Sequence, residues 1–365
     1  MAFRNNTIRM GMIGCGNVAE NRHLPALMNL QEVQVIAVAD KDPDVLKKIT
    51  TRFNVKNHHH DYRALLDDPA IDAVAICVPA KHHTEVAIAA LNAGKHVFIE
   101  KPLALSLDEV DQLMRISRES SKKVMVGFNM RWHRLVLQAK KMIQRETLGP
   151  LKLIVTRLTS GNRYSQHSPE WKKYREQGGG ALVELAVHHF DLWRFLLQSE
   201  VEEVFATTCS GDWEDETATV TARMGNGILT ASVFSEVTNA SHDLEIYGQT
   251  GYLKVSCYRF DGLKFIPSSR LPGDFLNRIE NVRSFINGLP QLLMNFFSGG
   301  DYIATYQKEW RHFIDAIQNE TPLESTLEDG RRALQILMAS LASASLKQPV
   351  KVDQSPRKIT PVVRT

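Results

Sequence analysis

Cysteine is scarce in this chain. Four thiols occur in 365 residues, at positions 15, 77, 209 and 257, and no two form a CxxC pair. That excludes a disulfide framework and points to a reducing compartment, with the cytoplasm as the expected location. An excess of one charge is also lacking: 44 Lys and Arg stand against 41 Asp and Glu, a formal charge of +3. So even a balance gives no footing for nucleic acid or an anionic membrane surface. No apolar run is as long as a membrane span, and residues 1–10 carry no apolar core of a secretory signal, so neither a membrane partner nor export is expected. Internal repeats and low-complexity blocks are lacking as well. Hydrophobic residues at 43% and charged residues at 23% describe a soluble globular chain, and 365 residues allow two domains with sizeable cores.

The first third alternates short apolar runs with amphipathic stretches. Strands are predicted at Ile8 to Ile13, Val33 to Ala39, Ala73 to Val78, His96 to Ile99 and Val124 to Gly127. Helices are predicted over Asn17 to Leu30 with a kink at Pro25, Pro43 to Phe53, Tyr62 to Leu66, Thr84 to Ala93, and from a Ser106 cap to about Ser120. Glu109, three residues after Ser106, completes a capping-box pattern. Strands and helices at this spacing form βαβ units, hence a doubly wound parallel sheet. The boundary falls between Gly127 and Gly149, giving a Rossmann domain over 1–128.

From 129 to 365 the pattern changes to successive strands with hairpin signals at Gly225-Asn226-Gly227 and Gln249-Thr250-Gly251. A helix opens after Gly178-Gly179-Gly180 and runs to about Leu197. Two more are predicted near the end, Tyr306 to Asn319 and, capped by Thr326, Leu327 to Lys347. The expected class is α/β: an N-terminal Rossmann domain plus a C-terminal α+β domain with a largely antiparallel open sheet.

Gly14-Cys15-Gly16-Asn17-Val18-Ala19 follows a strand and opens a helix. Gly14 permits a tight turn, Gly16 lets backbone N–H groups approach a pyrophosphate, and Ala19 allows close packing of helix on strand. Asp40 ends the next strand, where a carboxylate accepts ribose hydroxyls and repels a 2′-phosphate, so NAD is favoured over NADP. The competing interpretations are a ligand-free strand–helix turn and an exposed capping aspartate.

Three further runs carry a resemblance. They are Glu100-Lys101-Pro102, the segment Gly178-Gly179-Gly180-Ala181-Leu182-Val183-Glu184-Leu185-Ala186-Val187-His188-His189-Phe190-Asp191, and Thr326-Leu327-Glu328-Asp329-Gly330-Arg331. With the glycine motif, they make most of the chain resemble the glucose–fructose oxidoreductase/inositol dehydrogenase (Gfo/Idh/MocA) family. The family usually has aspartate four residues before the histidine and often glycine two before it; this chain has Glu184 and Ala186.

The resemblance implies a nicotinamide-dependent oxidoreductase acting on a secondary alcohol of a sugar, nucleotide-sugar or cyclitol. It makes Lys101 the donor to the reacting oxygen, a cation that favours alkoxide-like charge. His188 suits the general base, and Glu184, one helical turn earlier, suits orienting the imidazole or relaying a proton. An ordinary i,i+4 pair, or a metal site with Asp191, are the other readings of those two residues; no metal is expected. The resemblance adds Pro79, His83 and Glu100 to the cofactor set, with Ala80 where the family often has asparagine. It places Asn129, Arg131, Tyr164, Trp171 and Lys172 against substrate. His58-His59-His60 is expected in a solvated loop. Some relatives cleave glycosides with tightly held NAD and some are non-catalytic regulators, so both stand as alternatives. A homodimer or homotetramer is expected through the second-domain sheet.

Overall fold

The computed structural model describes residues 7–161, 169–271, 273–279, 282–283, 285–286, 289–290, 300–354 and 357–359. It divides into two compact units, Met1–Asn129 with Ile303–Leu334, and Met130–Tyr302 with Gln335–Thr365. The first unit therefore takes back a late segment of chain, whereas the sequence alone runs one domain unbroken from 129 to 365. Packing explains the return. Trp310 stacks on Phe98 with ring centroids 4.2 Å apart, and the Ser325 hydroxyl donates to the Val126 carbonyl at 2.7 Å.

The first unit is built on strands β1 (Ile8–Ile13), β2 (Val33–Ala39), β3 (Asn57–His59), β4 (Ala73–Ile76), β5 (His96–Glu100) and β6 (Val124–Gly127). They pair in parallel in the order β3-β2-β1-β4-β5-β6. The central strands are apolar throughout because helices cover both faces of such a sheet. His58 and His59 lie in β3, paired with Val38 and Ala39, so two of the three histidines stand on an edge strand and His60 alone follows it in a bend. The helix expected over Asn17 to Leu30 is divided: a π-helical turn Ala19–His23 leads into an α-helix Leu24–Met28 with Pro25 in its first turn. Pro25 has no N–H to return to the preceding turn, and the hydrogen-bond register widens just before it.

The second unit carries β7 (Leu151–Thr159), β8 (Val201–Cys209), β9 (Thr217–Met224), β10 (Leu229–Ser235), β11 (Ser241–Gly248), β12 (Gly251–Ser256), β13 (Leu263–Pro267) and β14 (Val350–Lys351). Their order is β13-β12-β11-β7-β10-β9-β8-β14, and every pair is antiparallel except β7 with β10. Strand β13 escaped the sequence reading. Along β9, Ala218, Val220, Ala222 and Met224 are buried while Thr219, Thr221 and Arg223 face out, the alternation of a sheet covered on one face. The covering helix is Val187–Leu197, with Phe190 and Trp193 fully buried and Phe190 against Phe234 of β10. The late helix begins at Gly300, six residues ahead of the expected Tyr306 (306 − 300), and runs to Gln318.

Candidate active site

In the first unit the strand order reverses between β1 and β4. Open α/β sheets take their ligands beyond the carboxyl ends of the strands at such a reversal. Gly14 to Asn17 leave β1 there, Asp40 leaves β2, Val78 and Pro79 leave β4, and Lys101 leaves β5. Gly14 has φ +85°, and a Cβ on it would stand 2.6 Å from the Cys77 carbonyl carbon, so only glycine lets the two loops pass. Gly16 is exposed, with no protein atom within 4 Å of where a Cβ would sit. That leaves its backbone approachable, as a pyrophosphate requires. Asp40 ties the turn down: its Oδ2 accepts from the Cys15 N–H at 2.7 Å and its Oδ1 from the Asp42 N–H at 3.0 Å. A carboxylate offers roughly four acceptor positions, so Asp40 keeps capacity for ribose hydroxyls. The Cys15 thiol is buried, and burial pushes its pKa up to about 12, which makes it inert. Val18 is half-buried, and Asn17 accepts from the exposed Asn21 amide at 2.6 Å.

Glu100, expected against cofactor, turns inward. It is 7% exposed; its Oε1 accepts from His23 Nε2 at 2.8 Å and its Oε2 from the Lys101 N–H at 3.0 Å. Trp310 Nε1 donates to His23 Nδ1 at 3.1 Å, which places the imidazole proton on Nε2, facing Glu100. Burial pulls the Glu100 carboxyl up, but the His23 bond and the Lys101 charge outweigh it and hold the group below its ordinary range. Glu100 is thus a buried support for the Lys101 backbone. His83, also expected against cofactor, is 1% exposed and sits between two carbonyls, with Nδ1 2.8 Å from Pro102 O and Nε2 2.9 Å from Val78 O. Pro79 opens the turn Ala80–His82 that leads into His83. Asn129, at the end of this unit, is buried, and its Oδ1 has no hydrogen-bond partner among the described residues. A buried acceptor left unpaired costs about 1–3 kcal/mol, so it suits a residue that meets a polar ligand.

In the second unit Glu184 lies on a π-helical turn, Leu182–Ala186, that runs directly into the helix bearing His188. π-turns inside helices recur at functional sites. Lys172, on the short turn Glu170–Lys173, donates to Glu184 Oε2 at 2.7 Å and lies 5.3 Å from the Trp171 ring centre. Three expected site residues are thereby brought together. Gly179 enables this: a Cβ there would stand 2.0 Å from the Lys172 carbonyl oxygen. His188 is half-buried. Arg131, expected against substrate, is 5% exposed and forks onto the equally buried Asp191, with Nε to Oδ2 at 2.7 Å and a second bond from Nη2 to Oδ1. The fork engages both carboxylate oxygens of Asp191 and two nitrogens of Arg131. Tyr164 lies outside the described residues.

Several supporting residues carry no local sequence signal. Arg175 and Asp215 form a second buried fork at 2.5 and 2.7 Å, and the Asp215 carbonyl accepts from the Ala181 N–H at 2.8 Å, just ahead of Glu184. His189, next to His188, is buried against the sheet. Its Nδ1 meets Thr156 Oγ1 at 2.7 Å and its Nε2 meets His242 Nε2 at 3.1 Å; Thr156 in turn meets Ser232 at 2.6 Å. Burial pulls both histidines down, His242 to about 3. The adjacency of His188 and His189 was the one available hint, since neighbours on a helix face apart.

Two family descriptions match the chain. Residues 8–128 match "Oxidoreductase family, NAD-binding Rossmann fold", and residues 136–254 match the GFO/IDH/MocA C-terminal domain. The chain belongs to the GFO/IDH/MocA oxidoreductase family. This family member is 28% identical over 358 residues to a myo-inositol 2-dehydrogenase of Thermotoga maritima, covering 95% of the chain and 99% of the relative. It is 24% identical over 355 residues to an inositol 2-dehydrogenase of Rhizobium meliloti, covering 95% and 99%. Its fold matches the WlbA dehydrogenase of Bordetella pertussis, solved with NADH and UDP-GlcNAcA, at a TM-score of 0.78 and 21% identity, covering 95% and 98%. Its first domain is therefore an NAD-binding Rossmann fold. No helix among the described residues is long and apolar enough to cross a membrane.

Proposed function

We propose that this family member is an NAD-dependent dehydrogenase acting on a secondary alcohol of a sugar, nucleotide-sugar or cyclitol. The observation that carries the reading is the carboxyl edge of the parallel sheet, which bears the open Gly16 turn, Asp40 and a braced Lys101. The relatives, two inositol dehydrogenases and a dehydrogenase solved with UDP-GlcNAcA, support the substrate class.

The Gly14-Cys15-Gly16-Asn17-Val18 turn offers N–H groups to the pyrophosphate, Asp40 accepts the ribose hydroxyls, and Pro79 lines the same edge. When bound, the dinucleotide supplies the hydride acceptor. Lys101 donates to the reacting oxygen and favours its negative charge as the proton leaves. His188 takes that proton. Glu184, held by Lys172, sets the field around the imidazole, and Asn129 and Trp171 meet the substrate's hydroxyls and apolar face. Lys101→Ala should lower turnover on a responsive inositol or sugar by about 10²–10³-fold while NAD binding is largely kept. Full turnover in that variant would sink the assignment. The open face of the second sheet carries exposed Phe205, Leu229 and Val233, apolar enough to join copies as a dimer or tetramer. Sedimentation that finds only monomer at micromolar concentration would refute that assembly.

A further inference from the structure

We propose that His83 is a positioning residue for Lys101, acting through the Pro102 carbonyl, and not a cofactor contact. Its kinetic consequence rests on the dehydrogenase reading above; its structural basis does not.

Strands β4 and β5 are hydrogen-bonded neighbours, and their last paired residues are Ile76 and Ile99. Beyond that pair the two chains diverge into the loops that carry Pro79 and Lys101. His83 bridges them there, its ring 2.9 Å from the Val78 carbonyl on one side and 2.8 Å from the Pro102 carbonyl on the other. Pro102 has no N–H, so the backbone groups by which the Lys101-Pro102 segment can be held are the Lys101 N–H and the two carbonyls; the Lys101 N–H and the Pro102 carbonyl mark its ends. Glu100 takes the first, itself held by His23 and Trp310. We place the His83 proton on Nδ1, from which it donates to the second at 2.8 Å. Both ends of the segment that carries the reacting lysine are pinned by buried side chains, and at 1% exposure His83 has no surface to offer a dinucleotide.

A neutral imidazole carries one N–H and can donate to only one of the two carbonyls. Burial pulls the ring's proton affinity down against the two carbonyls that raise it, so the two links are not equivalent. Asparagine and glutamine separate them. The Asn amide occupies the place of Nδ1 and can keep the Pro102 link; the Gln amide occupies the place of Nε2 and can keep only the Val78 link.

The experiment compares His83→Asn with His83→Gln in the full chain, each checked for a cooperative thermal transition. Three quantities are read: kcat, NAD affinity, and the rate at which an amine-acylating reagent labels Lys101, followed by mass spectrometry of its peptide. The expected result is a kcat about tenfold lower in His83→Gln than in His83→Asn, because a small misplacement of a reacting group is costly. The Lys101 labelling rate should move away from wild type in His83→Gln alone, and NAD affinity should differ little between the variants. Equal losses in both variants would overturn the proposal, and so would a loss confined to NAD affinity. Labelling needs no substrate. If the wild-type protein oxidises no alcohol, the dehydrogenase reading falls, and the labelling comparison still decides what His83 does.

Discussion

The two units hold the residues around their candidate sites in different ways. At the strand ends of the first, side chains reach for backbone: half-buried Asp40 takes the Cys15 N–H, buried Glu100 the Lys101 N–H, and buried His83 lies against the carbonyls of Val78 and Pro102. In the second, charge meets charge, with Arg131 on Asp191 and Arg175 on Asp215, all four nearly inaccessible to water. The difference follows from what must be held. The first unit has to fix the loops that leave a regular parallel sheet, and a loop is fixed through its N–H and C=O groups. The second has to seat the helix that bears His188, with Asp191 on that helix and the Asp215 carbonyl holding the Ala181 N–H just ahead of it. A bidentate guanidinium–carboxylate pair supplies strong and directional contact at such a place.

The sharpest way to break this contrast is to remove one partner of a fork. Asp191→Ala or Asp215→Ala leaves a guanidinium buried without its carboxylate and should cost about 3–5 kcal/mol in urea unfolding. Replacing both partners, as in Arg131→Met with Asp191→Leu, should restore most of that loss. A cost below about 1 kcal/mol for either single variant would show that water or a neighbour takes over, and that the forks are not what seats the helix.

Acid sharpens the contrast next. His189 and His242 are buried against each other beneath the second sheet, with Thr156, Tyr302 and His133 around them. Burial lowers both, His242 from 6.5 to about 3. The unfolded chain therefore binds protons below its ordinary histidine value that the folded chain refuses. Their contribution is intact above that value and is lost as the pH falls from 6.5 towards 3. At about pH 5 one such histidine should cost about 2 kcal/mol. The first unit has lowered histidines of its own, His83 and His96, so the wild-type curve alone does not isolate the pair. His242→Gln does. It should reduce the pH slope of unfolding free energy between neutral pH and about pH 5 by about one proton. An unchanged slope would mean that the pair accepts a proton without penalty.

What could be read from sequence follows the same division. The glycine turn and Asp40 stand out in the sequence because nucleotide binding at strand ends imposes short local spacings, whereas Lys101 is picked out by the family resemblance. Most of the strand pattern was legible in both units because alternation and apolar runs report burial directly; the edge strands β3 and β13, in which no residue is fully buried, were not. Arg175 with Asp215 was not, since a fork between residues forty apart leaves no periodicity (215 − 175). Nor was the inward turn of Glu100 and His83. A side chain that grips a lysine's backbone and one that touches a cofactor stand at the same sequence positions, and only burial separates them. The return of Trp310 to Phe98 was hidden for a related reason, since an amphipathic helix shows which face is covered but not by what.

The smallest expected effect tests the rule for the first unit itself. Two of its helices begin with the same pattern, a hydroxyl residue followed three positions later by an acid. At Thr326 the pattern is realised: the Asp329 N–H donates to Thr326 Oγ1 at 3.2 Å, and the Thr326 N–H donates to Asp329 Oδ2 at 2.9 Å. At Ser106 it is not, because the side chain makes no capping bond and its buried hydroxyl has no partner. Thr326→Ala should therefore cost about 1 kcal/mol. Ser106→Ala should stay within about 0.5 kcal/mol of wild type or gain slightly, since it deletes a buried hydroxyl that bonds to nothing. Both variants delete a hydroxyl at a helix start and only that of Thr326 meets backbone, so equal costs would show that side-chain-to-backbone bonds are not what holds the first unit's chain ends.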